Sequence, residues 1–350
     1  MHSFINIHRR RIGTGYPVYV IAELSANHGQ SYERAVELIH QARLAGADAI
    51  KIQTYTPDTI TIDCDNEYFQ INGGTCWDGQ VLYRLYEEAA TPWAWQPGLK
   101  AVANDRGMDL FSSPFDNSAV DFLEEMNVPA YKIASFEIVD IPLLKRVAAT
   151  RRPVIVSTGM ATQHEIRQAV DTLRNGGSDQ IALLKCTSAY PAAPDTMNLR
   201  TLQDMASRFN IPVGLSDHSL TNEAAVVAVT LGACIIEKHL TLSRAAGGPD
   251  SGFSLEPKEF AGMVQSIRIA EQTMGQIHYG PNRQDRLNRN LRRSLFVVQD
   301  IDEGEEFTEV NVRSIRPGHG LEPVHFPTVL GRKSTSKLVR GTPLQWKHVS

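Results

Sequence analysis

The chain has no excess of basic charge: 35 Lys and Arg stand against 39 Asp and Glu in 350 residues, a net charge of −4. A nucleic-acid scaffold, whose electrostatic footprint is basic, is therefore not expected. No apolar run reaches the roughly 18 residues needed to cross a bilayer, and no signal-peptide h-region is present. The expected protein is soluble and cytoplasmic, with neither nucleic acid nor membrane as a partner. Cysteine is scarce: Cys64, Cys76, Cys186 and Cys234 show no CxxC spacing and give no zinc signature. Cys186 and Cys234 sit inside apolar runs and read as buried thiols. Repeats and low-complexity tracts are also missing, and the His8–Arg11 run is too short for a targeting peptide and reads as a surface patch.

What is present is a regular alternation. Apolar, β-branched runs occur at 19–25, 48–54, 108–113, 131–135, 153–159, 181–188, 212–218 and 233–239, with amphipathic helix-period segments between them. One such segment, ATQHEIRQAVDTLRNGG, ends in the Gly-Gly of a helix stop. Eight strands with helical crossovers are what a (β/α)8 TIM barrel requires. The alternative, a doubly wound open sheet, usually carries G-x-G-x-x-G after its first strand, and Ser25-Ala26-Asn27-His28-Gly29 is not that motif. The expected organisation is a barrel over 1–275, a polar and basic linker over 276–290, and a small domain over 291–350. That last domain has short β-like pieces SLFVVQD, FTEVNVRSI and TVLGRKSTS. The crossover at 55–92 is oversized, and insertions after barrel strands lie over the catalytic face.

Two histidines carry the most information. His218 ends one run and His239 the next, with a single helix between, so parallel pairing at ~4.8 Å brings both imidazoles to one rim. A lone strand-end histidine is usually a structural hydrogen-bonding residue, but a same-rim pair beside Asp217, Glu237 and Lys238 suits a divalent metal with open coordination positions. Manganese is the first expectation, with magnesium or cobalt as alternatives. Nearly every other strand also ends in chemistry: Glu23, Lys51 with Gln53, Lys132 with Ser135 and Glu137, Ser157, Lys185 with Ser188, Ser216. A solvated turn explains any one of these, but it explains all eight poorly. Lysines inside Ile-rich strands are costly unless paired, and with nearby hydroxyls they suit a phosphate and a carboxylate. A Schiff-base lysine is the chemical competitor.

These residues resemble the sialic acid synthase family, which condenses phosphoenolpyruvate with an amino-sugar aldehyde. The similarity runs through IAELSANHGQ (21–30), AGADAIKIQTY (45–55), FSSPFD (111–116), YKIAS (131–135), STGM (157–160), CTSAYP (186–191), GLSDHS (214–219), EKHL (237–240) and GPDSGFSL (248–255). It continues into SIRPGHGL (314–321), which looks like the family's antifreeze-like (SAF) domain. The resemblance implies His218 and His239 as metal ligands, with Glu23 and Glu237 near the reacting centre. It implies Lys51, Lys132, Ser135, Ser157 and Ser216 as the phosphoenolpyruvate grip, and the rim residues Ser188 and Lys238 are grouped with them. Glu137, Tyr190 and Asp250, joined by Gln53, would contact the sugar. Arg316 would come from the SAF domain of the other subunit of a domain-swapped homodimer. Ser188, Ser251 and the AELSANH strand depart from the N-acetylneuraminate branch and look like the pseudaminic acid synthase branch. There the acceptor is a 2,4-diacetamido-2,4,6-trideoxy-hexose. Such a sugar needs a more apolar pocket, to which Trp77 and Trp93 contribute unless they simply pack a helix. An N-acetylneuraminate or legionaminate synthase is the neighbouring alternative, and a non-catalytic carbohydrate-binding protein the distant one.

Overall fold

The structure is a computed structural model and describes residues 4–350. The chain forms two compact units that meet at Gly275 and Gln276. In the first, eight parallel strands close a barrel in chain order: β3 (Tyr19–Glu23), β4 (Ala49–Thr54), β5 (Asp109–Pro114), β6 (Tyr131–Ile133), β7 (Val154–Ser157), β8 (Ile181–Cys186), β9 (Val213–Asp217) and β10 (Ile235–His239). The ring closes where β10 pairs with β3, setting His239 opposite Glu23. Each of the eight apolar runs supplies one of these strands.

The helices start where the sequence gives their free N–H groups an acceptor. Ser31 caps Tyr32–Leu44, Asp116 caps Asn117–Glu125, and Thr162 with Glu165 forms a capping box at the head of Gln163–Asn175. That last helix stops at Gly176-Gly177, the latter in the left-handed region at φ +100°. Its Ile166, Ala169, Val170 and Leu173 form the buried stripe.

One element is absent from the sequence reading. A short hairpin, β1 (Phe4–Ile7) and β2 (Arg10–Gly13), buries Ile5, Ile7 and Ile12 in the barrel's core cluster. It is tied to the N-terminal ends of the strands: His8 meets Asp109 at 2.5 Å, Arg10 pairs with Asp48, and Asn6 N–H donates to Gln180 at 2.7 Å. His8 and Arg10, two residues of the run read as a surface patch, thus anchor this hairpin at the end of the barrel opposite His218 and His239.

The second unit has its own core of Leu295, Val297, Ile301, Phe307, Val312, Val329, Leu338 and Leu344. Its antiparallel pair is β11 (Ser294–Val297) with β12 (Val312–Ile315), supplied by the first two β-like pieces. The third piece is not a strand. Phe326–Val329 is a helical turn, and the rest of the piece makes isolated bridges at Lys333 and Ser334 rather than a strand. Arg283–Asn288, inside the expected linker, is a short helix capped by Asn282 and Asp285.

Candidate active site

The C-terminal ends of the strands surround a cavity of about 550 Å³. Its floor is a charged cluster. Lys51 Nζ lies 2.6 Å from Glu23 and 3.4 Å from Glu237. Lys132 Nζ donates to Ser157 Oγ at 2.7 Å and stands 3.9 Å from Glu237, which also accepts from Ser216 Oγ at 2.8 Å. All these groups are buried. Burial pulls Lys51 down, but Glu23 and Glu237 outweigh it and hold its pKa above the ordinary lysine value. Lys132 is left lower, at about 8, because burial dominates and Lys51 opposes its charge against the attraction of Glu237. Glu23 is pushed up to about 7 by burial and Glu237, against the pull of Lys51. Burial also opposes ionisation of Glu237, yet the two lysines, Ser216 and His218 hold it below the usual range. An anion arriving beside Lys51 and Lys132 would restore full charge to Lys132 and complete the pairing of both cations.

The two histidines stand together, their ring centroids 5.4 Å apart. His218 Nδ1 donates to the Thr187 carbonyl at 3.0 Å, which fixes the ring and leaves Nε2 as the nitrogen available to a ligand. Cys186 Sγ lies 3.9 Å from the same Nδ1, and the thiol lines the cavity. His239 Nδ1 is buried without a hydrogen-bond partner. Burial and the neighbouring cations hold His239 well below the usual imidazole range, so it stays neutral, as a ligand must. Among the described residues no cluster of three or more His, Cys, Asp or Glu forms a metal cage. Glu23 and Asp217, the acids that could have added a third bond, are paired with Lys51 and Lys238. Burial pulls His218 down, but Cys186, the Thr187 carbonyl and Glu237 outweigh it and raise its pKa, so a divalent ion arriving beside neutral His239 would have to displace a proton from His218. Two imidazoles facing an open cavity fit a divalent ion that keeps several positions for water or substrate.

Most of the residues singled out from sequence converge here. Lys51, Lys132, Ser135, Ser157, Ser216, His218, Glu237 and His239 line the cavity, as do Gln53, Glu137, Tyr190 and Asp250. Four do not. Lys238 is fully buried and donates to Asp217 at 2.6 Å, so it cannot bind a donor in the cavity. The reason is strand alternation: with Glu237 and His239 facing inward, Lys238 must face the helical layer. Glu23 does not reach the cavity either. It is fully buried behind Lys51, and its Oε1 accepts from Ser25 N–H at 2.8 Å. Ser188 stands one step back, its Oγ 3.2 Å from that of Ser135. Gly159, at φ +47°, lets the turn after β7 come close to this pair; a Cβ there would lie 2.4 Å from that of Ser135. Arg316 belongs to the second unit.

The rest of the wall is apolar and comes largely from the oversized crossover. Ile60, Ile71, Trp77, Leu82, Leu85 and Tyr86 face the cavity with Tyr55 and Phe115. Trp77 donates to the Pro249 carbonyl at 2.8 Å, and its ring lies 5.3 Å from Tyr190. Tyr190 is itself 4.4 Å from His218 and 5.0 Å from Phe253. Trp93 takes the packing role instead, its ring 4.8 Å from Phe122. Sequence reasoning missed Ser25, Tyr55, Tyr86, Phe115, Cys186 and Phe253. Cys186 could have been found, since it alternates in phase with Leu184 on β8. Tyr55 and Phe115 could not, because they lie on loops with no period, nor could Phe253 on its single short turn; Tyr86 lies on the helix Leu82–Ala89, whose period does not tell a cavity wall from a core face.

Comparison with known proteins agrees with this geometry. Residues 38–279 match the NeuB family, and residues 292–350 match the SAF domain. The chain is 44% identical over 332 residues to the pseudaminic acid synthase of Campylobacter jejuni subsp. jejuni serotype O:23/36, covering 95% of this chain and 96% of that one. It is 40% identical over 329 residues to the pseudaminic acid synthase of Helicobacter pylori, covering 94% and 96%. Among solved structures, an N-acetylneuraminic acid synthetase from Leptospira borgpetersenii, in complex with citrate, matches with a TM-score of 0.73. The two chains are 32% identical, and the match covers 82% of this one and 95% of that one.

Proposed function

The chain belongs to the NeuB family and ends in a SAF domain, and on that premise we propose the reaction it catalyses. It condenses phosphoenolpyruvate with 2,4-diacetamido-2,4,6-trideoxy-L-altrose to give pseudaminic acid and phosphate. The observation that carries this reading is the meeting, in one cavity, of a two-lysine anion site, two imidazoles and an apolar wall. The identity to two pseudaminic acid synthases over nearly the whole chain supports the choice of acceptor over the legionaminate and N-acetylneuraminate alternatives.

Lys51 and Lys132 hold the donor's phosphate and carboxylate, with Ser135, Ser157 and Ser216 supplying further hydrogen bonds. Gln53, Glu137, Tyr190 and Asp250 orient the open-chain sugar against Trp77. The C2=C3 π pair of phosphoenolpyruvate forms the bond from C3 to the aldehyde carbon as the carbonyl π bond breaks, leaving C2 electron-poor, and the aldehyde oxygen takes a proton from solvent to become a hydroxyl. Water adds to C2, giving its proton to Glu237, the ionised carboxylate that lines the cavity. The C2–O bond to phosphate then breaks, phosphate leaves with the bonding pair, and the C2 hydroxyl gives up its proton to the departing phosphate to become the keto group. A divalent ion held by His218 and His239, with manganese first and magnesium or cobalt as alternatives, would supply Lewis acidity to the carbonyl under attack. The assembly belonging to this reading is a homodimer in which Arg316 of the partner subunit reaches the sugar. Among the described residues no helix is long and apolar enough to cross a membrane, and we place the protein in the cytoplasm, where phosphoenolpyruvate is made.

The test is phosphate release from phosphoenolpyruvate in 18O-water with three acceptors: the diacetamido-altrose, its legionaminate-type isomer and N-acetylmannosamine. The expected result is fastest turnover with the first and label in the keto acid. Label in phosphate would mean P–O cleavage and overturn the water addition. Preference for another sugar would move the chain to that activity, and borohydride trapping of a lysine adduct would replace the mechanism by a Schiff base.

A further inference from the structure

Among the described residues, seven other than glycine have a left-handed φ: His8, Ser25, Gln30, Asn127, Arg151, Asn198 and Asn210. Six are exposed, at turns and helix ends where such a conformation is common. Ser25 is different. It follows β3 at φ +42°, is only 4% exposed, and lines the catalytic cavity. A glycine would take this turn without steric cost, and its N–H could donate to Glu23 just as Ser25 does. What serine adds over glycine is the hydroxyl, and strained backbone of this kind clusters where function requires it.

That hydroxyl joins two side chains from different elements. Ser25 Oγ donates to Asp250 Oδ2, which also receives the Ala26 N–H at 3.4 Å. With its single proton committed to the carboxylate, Oγ can only accept from the Gln53 amide, whose Nε2 lies 3.0 Å away. The orientation of both neighbours is thereby fixed. Gln53 turns its NH2 to Ser25 and keeps Oε1 as its outward group, and Asp250 keeps Oδ1. Neither oxygen has a protein donor among the described residues, and both side chains line the cavity.

Building on the function proposed above, we infer that Ser25 is a specificity-determining residue. It holds Asp250 and Gln53 as a pair of bare acceptors that read two neighbouring donors on the sugar, a hydroxyl and an amide N–H. It acts through these two residues, so it is a positioning group and takes no part in bond making.

Two variants of the full-length enzyme separate this role from a structural one. S25G removes the hydroxyl and relieves the backbone, while S25A removes the hydroxyl and keeps the strain. Phosphate release is measured with the diacetamido-altrose varied at saturating phosphoenolpyruvate, then with the donor varied, alongside thermal unfolding. Both variants are expected to raise the sugar KM about ten- to a hundredfold, the usual loss for a hydrogen bond to a charged group. The donor KM should stay within about twofold. S25G should unfold at or above the wild-type temperature, and S25A not above it. A sugar KM unchanged in S25G, or a donor KM that rises equally, overturns the inference while leaving the function in place. A wild-type protein that consumes no phosphoenolpyruvate with any of the sugars overturns both.

Discussion

Glu137 shows how a single side chain can cost stability in order to serve a site. It lines the cavity, its Oε2 is buried without a hydrogen-bond partner, and burial pushes its pKa up to about 7 despite Lys132 and Lys51. The folded protein therefore holds a proton on Glu137 that the unfolded chain releases near its ordinary value of about 4.3. Between the two values the folded state binds more protons, so stability falls as pH rises through this window and the full cost is present above about 7. Glu137→Gln removes the titration while keeping the shape. At pH 8 the variant should resist urea better than wild type by about 2 kcal/mol, less than the full shift implies because the carboxyl is partly open to water. At pH 5 the difference should largely vanish, and the sugar KM should rise at both pH values. Equal urea midpoints for the two proteins at pH 8 would mean that burial imposes no such cost.

At the scale of elements, the barrel strands position the charged floor and the crossover after β4 shapes the wall. Trp77 is held from two sides: Asp78 accepts N–H groups from Gly74 and Thr75 at 2.8 Å each, and the indole donates to Pro249. Trp77→Ala should therefore open the cavity without unfolding the barrel. The expected result is a sugar KM at least about tenfold higher with the donor KM unchanged, the loss typical of a large aromatic contact. Weakened donor binding of the same size would show that the crossover shapes the whole site. The same division explains what could be read in advance. The eight strands and His218 with His239 were legible because β-branched runs and their polar ends carry a period. Lys238 was misplaced although the information was present, since two inward neighbours, Glu237 and His239, force it outward. Glu23 stands behind Lys51 rather than on the cavity wall, and nothing in sequence distinguishes those two places for a carboxylate. The hairpin β1–β2 escaped because four-residue strands beside an arginine run look like a polar terminus. The third tail piece misled because Thr328 and Val329 are β-formers placed in a helical turn.

At the scale of the whole molecule, the proposal that Arg316 serves the partner's cavity is tested by exchanging subunits. The catalytic unit brings its own lysines, histidines and carboxylates together, and the second unit has a separate core, so each can be altered without breaking the other. In the proposed homodimer His239 of one subunit and Arg316 of the other serve the same cavity. Substituting either should then inactivate the enzyme: His239→Ala by removing an imidazole of the metal site, Arg316→Ala by removing a cation that meets the sugar. Mixing the two inactive proteins under conditions that exchange subunits tests the arrangement directly. A mixed dimer has one cavity carrying both substitutions and one carrying neither, so random exchange should restore about a quarter of wild-type turnover. If each SAF domain instead served its own chain, every cavity in the mixture would hold one defect and no activity would return. Cross-linked or co-expressed dimers exclude slow exchange as the reason for a silent mixture. Recovery that follows exchange would establish a composite site, its absence in a verified mixed dimer would place Arg316 in the cavity of its own chain, and an Arg316→Ala protein that is active by itself would place Arg316 outside catalysis.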